Sequence, residues 1–87
     1  MSKTLDDLQD ELLALIAAER KADAAQTALW DRLESIGTAS EYQRMLRRDI
    51  EDRIKAGTLN LRNMHQEKMS LIARMKSEIQ ECLKKDS

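Results

Sequence analysis

The sequence predicts an all-α protein: an antiparallel, coiled-coil-like helical hairpin that self-associates into a helical bundle. Three observations predict it. The 87 residues contain no proline and only two glycines, Gly37 and Gly57, so strong helix-breaking signals are almost absent. Apolar residues recur at helical spacing on both sides of Gly37. The charge balance also reverses there: residues 1–37 carry four basic and eight acidic side chains, a net of −4, and residues 38–87 carry eleven and eight, a net of +3. An acidic helix and a basic helix joined at a helix-stopping residue are suited to fold back on each other.

The first helix is expected over about residues 4–36. Thr4 is the N-cap, and Asp6 and Asp7 place carboxylates in the first turn, at the positive end of the helix dipole. A seam spaced alternately three and four residues runs Leu5, Leu8, Leu12, Leu15, Glu19, Ala22, Gln26, Leu29, Leu33, Ile36. Only Glu19 and Gln26 interrupt its apolar character, and a heptad seam held this long marks a coiled coil.

The turn is expected at 37–40, with Gly37 as the left-handed residue past the helix end. Thr38/Glu41 and Ser40/Gln43 then form two overlapping capping boxes that start the second helix, over about 41–84. Here the period is different. Ile50, Leu61, Ile72 and Leu83 fall eleven residues apart, with Arg53, Met64 and Met75 as a parallel row and Leu46, Gly57, Lys68 and Ile79 as another. An eleven-residue repeat keeps a nearly straight helix facing one way. Mid-helix glycine costs about 1 kcal/mol against alanine, so the sequence leaves open whether the helix is continuous, kinked or broken at Gly57.

Composition bounds the function classes. One domain is the most this length supports. Aromatic residues are 2% of the chain, Trp30 and Tyr42 alone, which fits a narrow helical seam better than a thick globular core. Net charge of −1 gives no general pull toward nucleic acid or an anionic membrane. A single cysteine, Cys82, excludes an intrachain disulfide and fits a reducing compartment. The acidic start lacks the apolar core of a secretory signal, and no window approaches 18 uninterrupted apolar residues. A cytoplasmic protein without membrane association is the expectation. His65 has no second histidine or cysteine at ligand spacing, and no glycine-rich phosphate loop or tuned pair of titratable groups is visible, so neither cofactor, metal, small-molecule substrate nor catalysis is expected.

The expected function is therefore a non-enzymatic helical interaction module, a small adaptor, chaperone or inhibitor of bacterial or phage type that masks a partner's surface. The residues expected to bind a protein partner are Leu12, Leu15, Trp30, Tyr42, Leu61, Met64, Met69 and Ile72. Apolar residues beyond one stripe per helix, Leu13, Ile16, Met45, Met69 and Leu71, call for burial by a further helix, for which a second copy forming a four-helix bundle is the preferred candidate. Glu19 and Arg53 are the expected polar pair fixing register. The alternative is a nucleic-acid-binding dimer using Arg44, Arg47 and Arg48, which is disfavoured because Asp49, Glu51 and Asp52 follow at once and offer pairs such as Arg47–Glu51. The small size and the Glu41-Tyr42-Gln43 start of the second helix resemble the hairpin chaperones of type III secretion, a likeness confined to those few residues that implies partner masking.

Overall fold

A computed structural model describes residues 4–85 and contains two helices, α1 (Leu5–Ser35) and α2 (Glu41–Lys85), packed antiparallel. The molecule measures 71 × 19 × 15 Å. Forty-five residues at about 1.5 Å each account for its length, so α2 alone sets the long axis.

α1 begins as the sequence requires. The Thr4 hydroxyl accepts from the Asp7 amide at 3.2 Å. Its end differs from expectation. No glycine among the described residues has positive φ, so Gly37 is not a left-handed cap. Ile36 instead leaves the helix extended, at φ −91° and ψ 127°, with its amide donating to the Leu33 carbonyl. Carbonyls left without helical partners at this end are satisfied from the other helix: Arg47 Nη1 donates to the carbonyls of Leu33 and Ile36, both at 2.8 Å. A cation placed on a helix C-terminus also meets the negative end of its dipole. Of the two capping boxes, Ser40/Gln43 forms reciprocally, amide to side chain in both directions at 3.1 Å.

The extended exit carries the chain beyond α1 before α2 starts. Gln26 lies against Gly57 and Leu33 against Ile50 and Ile54, so residues whose numbers total about 83 sit level. A hairpin symmetrical about residues 36–40 would give about 76. The offset of about seven residues amounts to roughly 10 Å of helix. The start of α2 therefore overhangs the end of α1, and the last turns of α2 run past Leu5.

α2 is continuous through Gly57. It does not follow the eleven-residue register. Its buried and half-buried residues are Gln43, Arg47, Ile50, Ile54, Gly57, Leu61, Met64, Lys68, Leu71, Met75 and Glu78, an alternating four-and-three seam matching α1, with Leu46 and Ile72 beside it. Leu83 (65% exposed) and Ile79 (44%) fall off it, as does exposed Arg53. Two helices that wrap each other must share one supercoil, and α1 imposes seven. Ile50 and Leu61 satisfy both periods, which is why the longer one stands out in the sequence.

The core is thin and uneven. Leu33, Ile50 and Ile54 are buried together near the turn, with Leu29 and Ile36 packed on them, and Leu8 is buried toward the other end. Between them the seam is only half-buried, and Glu19, Gln26 and Lys68 interrupt its apolar residues.

Candidate interaction surface

In heptad terms, α1 places Leu5, Leu12, Glu19, Gln26 and Leu33 at a, and Leu8, Leu15, Ala22, Leu29 and Ile36 at d; α2 places Arg47, Ile54, Leu61, Lys68 and Met75 at a, and Ile50, Gly57, Met64 and Leu71 at d. Four of the residues expected to meet an outside partner, Leu12, Leu15, Leu61 and Met64, are thus half-buried in the hairpin's own seam.

The polar middle has two locks. Gln26, buried, donates Nε2 to the Ile54 carbonyl at 2.7 Å and to Thr58 Oγ1 at 3.0 Å, while Thr58 Oγ1 donates to the same carbonyl at 2.9 Å. The Gln26 amide lies where a side chain at 57 would begin: a β-carbon there would overlap its Oε1 and lie 2.9 Å from its Cδ. The second lock is Glu19 with Lys68, Nζ to Oε1 at 3.1 Å, each side chain about three-quarters buried. The expected Glu19–Arg53 pair does not form. Arg53 bonds Asp49 on the exposed face at 3.3 Å, because the helix offset sets Glu19 level with Met64 and Lys68, about three turns of α2 beyond Arg53. Glu19 Oε2 is buried with no hydrogen-bond partner.

Outside the seam, apart from Leu59 (56% exposed) on the outer face of α2, the exposed apolar residues gather on two surfaces. The first is one flank of the hairpin, formed by the e and b positions of both helices. Near the turn it carries Trp30, half exposed, in an open groove with Leu33, Glu51, Ile54, Lys55 and Thr58. Farther along, the flank carries Leu13 (57% exposed) and Met69 (51%) with half-buried Ile16 and Ile72. The opposite flank differs in kind: it is lined by Glu11, Ala14, Ala18, Glu67 and Arg74 around Leu15 and Leu71.

The second surface is the tip. Tyr42 and Met45, 70% and 63% exposed, lie three residues apart on the outer side of the overhanging start of α2. The arginines here hold the turn. Arg44 Nη1 donates to the Thr38 carbonyl at 3.1 Å and Arg47 caps α1, while Arg48 is exposed.

Sequence reasoning missed the Gln26–Gly57 lock and the Arg47 cap. A signal for the first was present: once α2 is given a heptad, Gly57 occupies a d position, the one large vacancy in its seam. Among the described residues no group of three His, Cys, Asp or Glu side chains could hold a metal ion, and no helix is long and apolar enough to cross a membrane. His65 and Cys82 are exposed on α2. Compared with known proteins, the chain matches no protein-family model, no curated protein and no solved structure.

Proposed function

We propose that this chain is a non-enzymatic helical interaction module, an adaptor, chaperone or inhibitor, that works by covering a surface of another protein with the tip of its hairpin. One observation carries the reading: Tyr42 and Met45 stand largely exposed on a stretch of α2 that extends beyond α1. Burial of an aromatic side chain and of an adaptable thioether on a partner is the usual source of interface energy. Arg47 and the Ser40/Gln43 box stiffen that stretch, so little conformational entropy remains to be lost on binding.

A photo-crosslinking residue at position 42 of the full chain tests this in cells of the native host. The expected result is a discrete adduct with a different protein, lost when Met45→Asp is added. Adducts with the chain itself alone would overturn the reading. No observation favours the nucleic-acid alternative, since Arg44 and Arg47 are engaged with backbone carbonyls.

A further inference from the structure

The apolar flank lies on a different side from the tip, and its charges specify what covers it. At the b positions α1 presents Asp6, Leu13, Arg20, Thr27 and Glu34. Those of α2 that lie alongside α1 are Arg48, Lys55, Arg62, Met69 and Lys76, with Leu83 beyond its end. The helix offset sets Asp6 level with Lys76, Leu13 with Met69, Arg20 with Arg62 and Glu34 with Arg48.

We propose that a second copy of this chain covers the flank, with α1 of each copy lying over α2 of the other and the two hairpin tips at the same end. A twofold axis along the hairpin's length does this. It sets Asp6 against Lys76 and Glu34 against Arg48 of the other copy, and Leu13 and Ile16 against Met69 and Ile72. One kind of like-charge contact, Arg20 with Arg62, remains and, like the attractive pairs, occurs twice. The other face-to-face twofold, with tips at opposite ends and its axis level with Arg20 and Arg62 so that the two flanks overlap fully, stacks α1 on α1 and α2 on α2, Arg20 on Arg20 and Arg62 on Arg62. That places Asp6 against Glu34 and Arg48 against Lys76, each repulsive and each occurring twice, while Leu13 and Met69 meet Thr27 and Lys55. Opposed like charges cost enough to select between arrangements.

The surface available fits. The chain exposes 7016 Å², whereas a compact monomer of 10.0 kDa exposes about 5,200 Å². The surplus of about 1,800 Å² per chain exceeds the roughly 800 Å² per partner of a standard stable interface. Trp30 of each copy then closes over the groove of the other beside Lys55 and Thr58, and both Tyr42–Met45 tips point the same way, giving a two-pronged tip.

Cys82, exposed and the only cysteine, allows a test on the unaltered sequence. Light scattering of the reduced protein should give twice 10.0 kDa. A monomer at several hundred micromolar would overturn the proposal. Spin labels on Cys82 should show a separation below about 35 Å; with tips at opposite ends the labels sit some 40 residues apart along the axis, about 60 Å, and that distance would overturn the arrangement. Glu34→Arg should weaken the dimer about tenfold or more, and adding Arg48→Glu should restore it. Strengthening by Glu34→Arg alone, as the opposed arrangement requires by meeting Asp6, would overturn the proposal. Both substitutions are on exposed positions, and helicity by circular dichroism checks folding. Loss of the dimer with the position-42 adduct intact would separate this proposal from the tip's function.

Discussion

The side-chain amide of Gln26 occupies the space over Gly57, its Nε2 bonded to the Ile54 carbonyl at 2.7 Å in the buried seam between the helices. A glycine that weakens α2 as an isolated helix is thereby the position that receives a residue from α1 and fixes how far the two helices slide.

Gly57→Ala should destabilise the hairpin despite alanine's better helix propensity. The added β-carbon displaces Gln26 and leaves buried polar groups unpaired, a loss of about 1–3 kcal/mol against a propensity gain of about 1. The Gln26→Ala/Gly57→Ala double variant should recover most of the loss. Urea unfolding of the four-member cycle measures it, and additive effects would disprove the coupling.

Gly37→Ala should behave oppositely. Gly37 has no positive φ, and the nearest side-chain atom, Gln43 Nε2, lies 3.4 Å from where the added methyl would sit, so alanine fits. Reduced freedom of the unfolded chain should leave stability unchanged or raise it by about 0.5 kcal/mol, read as an equal or higher urea midpoint.

Arg47→Ala should cost about 2 kcal/mol, since two 2.8 Å charge-assisted bonds to the end of α1 are lost. Amide hydrogen exchange should show the damage first in the last turn of α1. Arg53→Ala, which removes only an exposed pair with Asp49, should change stability by less than about 0.5 kcal/mol.

Glu19→Leu with Lys68→Leu should raise stability by about 1 kcal/mol or more, because a partly desolvated pair and the unpartnered Glu19 Oε2 are replaced by apolar packing. Lys68→Leu alone should lower it by leaving Glu19 without its cation. Thermal unfolding compares the three proteins; a stabilised single variant would show that Glu19 does not depend on Lys68.

Gel-shift titration with duplex DNA and with RNA at low salt should show no complex. Binding that falls steeply with salt and is lost on charge reversal of Arg44, Arg47 and Arg48 would revive the alternative.

Local pattern was enough to specify the two helices, their starts and the inner face of α1. Thr4 and Ser40/Gln43 are capping signals within a few residues of the helix they begin, and the α1 seam from Leu5 to Ile36 is a one-dimensional pattern that needs no partner to be read. Continuity through Gly57, the heptad of α2, the offset of about seven residues and the Glu19–Lys68 pairing were settled when the helices met. Each depends on the axial slide between them. That slide is set by Gln26 entering the vacancy at Gly57 and bonding Ile54, 28 residues away, and by Arg47 reaching back 14 residues to Leu33, contacts that no local spacing encodes. The level of the flank charges and the reach of the tip follow from the same slide: it decides which b-position charges stand level and carries the stretch bearing Tyr42 and Met45 past the end of α1, because an isolated helix has faces but no register.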